Sequence, residues 1–375
     1  MHFALTEDQR AIQTAAHAVL SAAASVEARL AALESGEGWD VALWRALGVE
    51  LGFAGLMIPE TYGGSGLGAV EMSLVLEEAG KALAAIPLFE TAVVSATAVL
   101  AAGDEAQKAD LLGRMATGEV IATPVLARAG EVAPALVLSP APRLDGVVRY
   151  AAFAHAADLL IVACEGEMGV SLLALPTSAA GVQVERQICL DPTRPLSTVR
   201  FDAVAVDPAW ILGPAGAARA TIDHVRTVAA GLLAAELTGI AAQSLVSTVD
   251  YAQQRMQFGR LIGSFQAVKH ALADMMVQVE AARSASLYAA AALDLGGNEA
   301  IEAASTAKAW CGDAANHCAA EAIQLHGGIG FTWEHPAHLY FKRARSSSQW
   351  FGDPVHHREI VAGLMGLDIL SPETQ

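Results

Sequence analysis

Positive charge is scarce in this sequence. Of 375 residues, 23 are Lys or Arg and 40 are Asp or Glu, a formal net charge of -17. No long Lys/Arg run occurs. Nucleic acid and anionic membrane surfaces are bound by clustered cations, so neither is an expected partner. Cysteine is equally sparse: Cys164, Cys189, Cys311 and Cys318, with no C-x-x-C pair. A chain of this size needs no disulfide staples, and reduced thiols of a cytoplasmic protein are the expectation. Cys311 and Cys318 stand one heptad apart on what reads as one helix face, with His317 beside them. No fourth ligand lies near in sequence, so no metal site is expected. Charges interrupt every Ala-rich stretch before it reaches the roughly 20 apolar residues a membrane span requires. Residues 1–20 carry Glu7, Asp8 and Arg10, which suits neither a signal peptide nor a span. Internal repeats and low-complexity tails are also missing.

What is present is a long chain rich in Ala, Leu and Val. Its length points to two or three domains, and Ala and Leu cost little in a helix. So apolar a helical protein is expected to bury further surface in an oligomer. Residues 1–117 read as helical. Thr6 is placed to cap a first helix with Glu7 and Asp8 in its first turn. A second helix spans about 39–51, with Val41, Leu43, Trp44 and Leu47 on its apolar side. Pro59-Glu60-Thr61-Tyr62-Gly63-Gly64 is a break, and the helical period resumes over 71–83. Residues 118–215 differ. Short apolar or alternating runs at 121–126, 135–138, 159–162, 171–175 and 182–186 are separated by Gly and Pro, which predicts a β domain. It ends near Trp210-Ile211-Leu212-Gly213-Pro214. Residues 216–375 return to the helical period: two long segments over 216–293 broken near 259–263, a turn at Gly296-Gly297-Asn298, a helix over 299–325 stopped by Gly327-Gly328, and a last helix over 335–367. The expected fold is mainly α with a small β domain in the middle.

Two segments carry a more specific signal. Tyr251-Ala252-Gln253-Gln254-Arg255-Met256-Gln257-Phe258-Gly259 is followed by Ile262, Phe265-Gln266, His270 and Ala273-Asp274-Met275. Gln324-Leu325-His326-Gly327-Gly328-Ile329-Gly330-Phe331 is followed by Glu334, Pro336 and Arg343. Both resemble the signatures of the acyl-CoA dehydrogenase family, and 59–64 resembles that family's amino-terminal Pro-x-x-Tyr-Gly-Gly turn. The resemblance implies a helical domain, a small β barrel and a carboxy-terminal four-helix bundle. It also implies FAD as cofactor, an acyl-CoA substrate oxidised between Cα and Cβ, and a flavoprotein as electron acceptor. The residue types suit a flavin dinucleotide. An Arg fork matches pyrophosphate oxygens, Phe258 offers an aromatic face, Gln266 and Gln324 both donate and accept, and Gly327 and Gly328 let backbone N–H groups approach phosphate. By resemblance, Arg255, Gln257, Phe258, Gln266, Gln324, Gly327 and Gly328 clamp the adenosine and pyrophosphate end of FAD across a subunit interface.

The sequence departs from the family in three places. Family enzymes remove the Cα proton with a Glu that follows the second signature. A gapless count places Phe351-Gly352 there, and Phe accepts no proton. Asp353 is the nearest carboxylate, and Asp353-Pro354 reads as a turn or N-cap. Other members carry the base on the first bundle helix, where the count gives Ala229 and Ala230. Glu236 lies further along, in Ala234-Ala235-Glu236-Leu237-Thr238-Gly239, and is expected to pair with an Arg or a backbone group, a raised-pKa base being the alternative. Third, the Ser- and Asp-bearing loop that holds the flavin ring is replaced by Thr123-Pro124-Val125-Leu126-Ala127-Arg128-Ala129-Gly130-Glu131. The family's Trp and Thr beside the flavin become Ala151-Ala152-Phe153-Ala154-His155.

The adenosine-clamping half of the family's site is thus kept and the flavin-ring half is degraded. Ile329-Gly330-Phe331-Thr332-Trp333-Glu334-His335-Pro336 is similar to the subgroup that forms heteromeric complexes for steroid side-chain degradation, in which one subunit clamps and its partner supplies ring site and base. The leading expectation is therefore a base-lacking subunit of a hetero-oligomer, a tetramer by family habit. The alternatives are a self-sufficient dehydrogenase using Glu236 or Asp353, a scaffold without FAD, and an oxidase or monooxygenase on the same fold.

Overall fold

The computed structural model describes residues 4–22, 31–126, 136–139 and 142–367. Along the chain the longer helices are α1 (Glu7–Ala22) and α2 (Ala69–Ala82), then α3 (Arg219–Gln254), α4 (Gln266–Leu295), α5 (Gly297–His326), α6 (Ala337–Gln349) and α7 (Pro354–Leu364). The strands between α2 and α3 are β1 (Ala122–Val125), β2 (Leu136–Leu138), β3 (Arg143–Ala152), β4 (Leu159–Gly166), β5 (Gly169–Pro176), β6 (Val182–Arg186), β7 (Leu196–Ala205) and β8 (Ile211–Leu212). A hairpin of β9 (Met256–Gln257) and β10 (Arg260–Leu261) joins α3 to α4. Helices, a mid-chain sheet and a carboxy-terminal helical block follow in the expected order.

Packing divides the chain into two compact units. One comprises Met1–Thr14, Ser73–Leu83 and Ala230–Gln375, the other Ala15–Met72 and Ala84–Ala229. The start of α1 and most of α2 thus belong with the carboxy-terminal helices, which adjacency in sequence did not reveal. Thr6 forms a capping box with Gln9: its hydroxyl accepts from the Gln9 amide, and the Gln9 side chain accepts from Thr6 N–H. Within this helical unit α2 and α3 cross in backbone contact through two glycines. A methyl group on Gly80 would stand closer than 3.0 Å to the Glu236 carbonyl oxygen, and one on Gly239 equally close to that of Glu77.

In the other unit the sheet runs β6-β7-β3-β2-β4-β5-β8, with β1 pairing parallel to β4. Leu160, Ile161, Val162, Leu173, Leu175 and Val199 are fully buried in it. The sequence runs at 121–126, 135–138, 159–162, 171–175 and 182–186 coincide with β1, β2, β4, β5 and β6, except that Ala135 lies outside the described residues. The ten-residue strands β3 and β7 were missed. Both carry charges outward; Gly146 interrupts β3, and β7 buries the polar pair Ser197 and Thr198, so neither shows an apolar run.

One correction concerns the end of the chain. The single helix expected over 335–367 is two, α6 and α7, separated at 350–353. Phe351 (φ 55°) and Gly352 (φ 106°) lie in the left-handed region, and Pro354 forbids helix continuation through it. Helix α3 is also long and apolar enough to cross a membrane by composition, but 94% of its most apolar stretch is buried inside the protein.

The glycine crossing gives a test whose sign is informative. In an ordinary helix Gly→Ala stabilises by about 1 kcal/mol. At Gly239 overpacking outweighs that gain, and Gly239→Ala is expected to destabilise by about 1–3 kcal/mol, read as a lower denaturant midpoint. An unchanged or raised midpoint would show that the two helices do not meet there.

Candidate functional site

The residues of the two signature segments assemble at one end of the helical unit. Helix α3 ends at Gln254 and the chain turns through the β9–β10 hairpin, where Gln257 pairs with Arg260. That register leaves Phe258 and Gly259 as a two-residue loop, with φ values of 53° and 76°. Both being positive is the mark of a primed turn whose twist suits a hairpin. Gly accepts this freely, whereas Phe in that region costs about 1–2 kcal/mol. Phe258 is nonetheless 91% exposed, with only an edge contact to Phe265 at 6.1 Å between centroids. Arg260 stacks over the Phe265 ring at 3.9 Å.

Helix α5 ends in the same neighbourhood. Gly327 takes φ 63°, ψ -142°, open only to Gly, and a methyl group on Gly327 or Gly328 would meet nothing within 4 Å. The two segments are joined by a column of rings. Tyr251 of α3 stacks on His326 at 4.5 Å, and the His335 ring lies tilted by 40° against His326 at 4.2 Å. Arg255, Gln257, Phe258, Gln266, Gln324, Gly327 and Gly328 are all exposed. Among the described residues the side chains of Arg255, Gln266 and Gln324 have no partner, while Gln257 donates to its neighbour Met256's carbonyl oxygen at 2.8 Å. Free donors, open glycines and an exposed aromatic ring together suit an anionic ligand with a flat ring.

The carboxylate candidates are spoken for. Glu236 is buried on α3. Its Oε1 accepts from Arg343 Nε at 3.0 Å and Ser347 Oγ at 2.7 Å, and its Oε2 from Arg343 Nη2 at 3.3 Å. Asp353 caps α7, its Oδ1 accepting from the His356 amide at 2.8 Å. Phe351, half-buried, sits in a turn held from two sides. Buried Lys308 of α5 donates to the carbonyl oxygens of Ser348 and Gly352 at 2.9 and 2.8 Å. His357 Nε2 lies 2.9 Å from the Phe351 carbonyl oxygen, so that nitrogen carries the proton. Burial, then the Lys308 charge, pushes the His357 pKa down to about 3. Sequence reasoning missed Lys308, His357 and Ser347. The signal for the first was a lone Lys in the apolar run Ala307-Lys308-Ala309.

The segments expected to carry the altered flavin-ring half lie in the sheet unit. Thr123 Oγ1 donates to the Ala152 carbonyl oxygen at 2.5 Å, and Thr91 Oγ1 to that of Ala122 at 3.0 Å. Phe153 is fully buried at φ 51°, and His155 Nε2 lies 3.1 Å from the Glu37 carbonyl oxygen. Thr123 is thus occupied with backbone, and Ala127, Arg128, Ala129, Gly130 and Glu131 lie outside the described residues. Arg194 and Glu90 pair at 3.4 Å, both buried. The four cysteines are free, and burial pushes the thiols of Cys164, Cys311 and Cys318 up to about 12.

Comparison with known proteins agrees with these features. The amino-terminal domain of acyl-CoA dehydrogenases matches residues 6–119 and the carboxy-terminal domain residues 216–365. Acyl-CoA dehydrogenase IpdE2 of Mycobacterium tuberculosis is 34% identical over 361 residues, 96% of each chain. The ChsE4-ChsE5 complex from Mycobacterium tuberculosis holds a chain 25% identical, with a TM-score of 0.89 over 99% of this chain and 100% of that one. A variant of the Tcur3481-Tcur3483 steroid ACAD is 31% identical, with a TM-score of 0.87 over 97% and 99%.

The bidentate pair predicts the behaviour of Glu236. Glu236→Gln leaves the buried Arg343 charge without its partner and is expected to cost about 3–5 kcal/mol. Chemical denaturation measures this. A change under about 1 kcal/mol, the range of surface pairs, would show that the pair is not buried as described.

Proposed function

The chain belongs to the acyl-CoA dehydrogenase family, and from that premise we propose that it is the FAD-clamping, base-lacking subunit of a heteromeric enzyme that dehydrogenates a steroid side-chain acyl-CoA. The observation that carries this reading is an asymmetry. The donors suited to the dinucleotide end of FAD are free and exposed, whereas every carboxylate candidate for the base is absent or bound. Arg255 would meet the pyrophosphate as a charge-assisted fork, Gln266 and Gln324 would hydrogen-bond it, and Phe258 would cover a flat ring. Gly327 and Gly328 leave room for close approach. The domain limits 1–117, 118–215 and 216–375 belong to the same reading and are supported by where the two family matches end and begin. The steroid substrate and paired assembly are supported by the names of the similar structures.

When bound, FAD would supply the acceptor for the Cβ hydride, and a carboxylate is needed to take the Cα proton. That proton is weakly acidic, so a positioned base is required. Phe351 stands at the usual position and is chemically inert. Glu236 is neutralised by Arg343 and Ser347, and Asp353 is committed to the α7 amides. The partner subunit therefore supplies the base and the flavin-ring contacts, and a flavoprotein acceptor takes the electrons away. A self-sufficient enzyme would have to break the α7 cap or the Glu236 pair to free a carboxylate.

Purified alone, the chain is expected to retain little FAD and to lack turnover, loss of a general base costing about 10²–10⁴-fold. Combined with a partner that carries the Glu, it should regain both, and Arg255→Ala should weaken FAD retention by about 1.5–3 kcal/mol with the fold intact. Robust turnover by the isolated chain, abolished by Asp353→Asn, would overturn the proposal.

A further inference from the structure

We infer that His335 is the positioning residue of the clamp: its uncharged ring, packed at a tilt against His326, locks the turn after α5 to the end of α3, and protonating it loosens the two segments from one another. The inference rests on the clamp reading above for its functional meaning, but its geometry stands apart from that reading.

The column Tyr251–His326–His335 is a direct side-chain link between the two segments, beside the apolar packing of Met275 and Leu325. Tyr251 lies four residues before Arg255. His326 lies two residues after Gln324 and immediately before Gly327. His335 closes the column from the turn just before α6. Each imidazole is fixed as a neutral tautomer by its own hydrogen bond. His326 Nδ1 lies 2.6 Å from the Ala322 carbonyl oxygen, so it carries the proton, and its buried Nε2 has no hydrogen-bond partner. A proton added there would be a buried donor with no acceptor. His335 Nδ1 accepts from the Ala337 amide at 3.2 Å, helping to satisfy an amide of the first turn of α6. A proton added to Nδ1 abolishes that acceptor and sets a cation 4.2 Å from the His326 ring.

The groups around His335 offer a cation no shelter. Tyr251 comes from α3 and His326 from α5. From α6 comes His338, edge-on to Trp333 at 4.6 Å, together with Lys342, whose ammonium lies 4.8 Å over the Trp333 ring. The adjacent carboxylate, Glu334, is exposed. Burial first, then His326 and His338, pushes the His335 pKa down to about 4. Burial lowers that of His326 as well, against the opposing hydrogen bond to Ala322. The sign follows from linkage. A histidine with a lowered pKa favours the locked arrangement above its ordinary value of about 6.5, and the lock weakens as pH falls from there towards about 4.

The test compares the full-length wild type with His335→Phe, which keeps an aromatic ring and cannot be protonated. His335→Gln serves as a second variant should the first not fold. FAD affinity is measured by flavin fluorescence, and exchange of the amides over 324–337 by mass spectrometry corrected for intrinsic rates. Wild-type affinity is expected to fall about tenfold between about pH 7.5 and about pH 5, with exchange over 324–337 rising in parallel. Both changes should be absent in the variants. If FAD binds and the variants show the same pH dependence as wild type, the inference fails while the clamp reading stands. If the isolated chain binds too little FAD to measure, as expected of a subunit that needs its partner, exchange alone decides. A pH-dependent rise confined to wild type supports His335 as the lock, and identical profiles overturn it.

Discussion

A carboxylate cannot be left alone in a helical core, and the placement of Glu236 governs much of the helical unit. The α2–α3 crossing brings Gly80 against the Glu236 peptide and Gly239 against that of Glu77, so two acids enter the same interior. Each needs a cation. Glu236 takes Arg343 and Ser347 from α6. Glu77 takes Lys81 at 3.0 Å and Arg283 of α4 at 3.3 Å, and Lys81 also holds Glu78 at 2.7 Å. The Lys81 backbone carbonyl in turn accepts from Tyr340 of α6. The register of α2, α3, α4 and α6 is tied to these pairs. Removing one member strands a charge, which costs more than the intact pair contributes. The same pairing takes away the one acid on the first bundle helix that offered itself as a base.

Among the described residues, Leu83, Tyr150, Phe153, Ala203, Phe258 and Phe351 are the non-glycine residues with left-handed backbone, and the last two bear on the site. Phe258 and Phe351 both occupy the left-handed region, with φ 53° and 55°, at about 1–2 kcal/mol each. Their surroundings differ. The Phe258 turn is held by its hairpin register and leaves the ring in solvent. The Phe351 turn is held by three donors inside the protein, two from Lys308 and one from His357. A turn so thoroughly fixed around a residue with no acid–base chemistry keeps the geometry of a functional position while its side chain has none. That combination fits a subunit relieved of catalysis better than one that relocated its base nearby, because Asp353 is consumed by the α7 cap.

What was legible in the sequence was local. Thr6 caps α1 as its place before Glu7 and Asp8 indicated, with Gln9 completing the cap; the glycine stops after α5 and the Asp353-Pro354 start of α7 are likewise set by neighbours in the chain. The order of helical and β segments followed from periodicity. The strands β3 and β7 escaped because one face of each meets solvent, and a half-exposed strand with charges outward carries no apolar run. The pairings that decide the chemistry were illegible for another reason. Glu236 meets Arg343 at a sequence separation of 107 and Lys308 meets Gly352 at one of 44, and nothing in either local sequence names the partner. The Glu236 segment showed only that a partner had to exist, from the cost of burying a lone carboxylate.

The clamp end shows what a partly built site looks like physically. Phe258, Phe331 and Trp333 are 91%, 76% and 59% exposed, beside an Arg255 guanidinium free of partners among the described residues. Large exposed rings near unpaired donors are groups that a ligand or another surface can cover. The groups at the clamp end differ in what they ask for: the guanidinium an anion, the rings a flat or apolar face, the open glycines a ligand close to the backbone. A single dinucleotide supplies the first and third, and its ring system part of the second, leaving Phe331 and Trp333 for a protein surface. On the proposed reading, binding energy is contributed by this chain and proton transfer by its partner. Such a division needs the two clamp segments to keep a fixed spacing without help from the catalytic half. The Tyr251–His326–His335 column supplies that rigidity from within one protomer, as long as its imidazoles remain neutral.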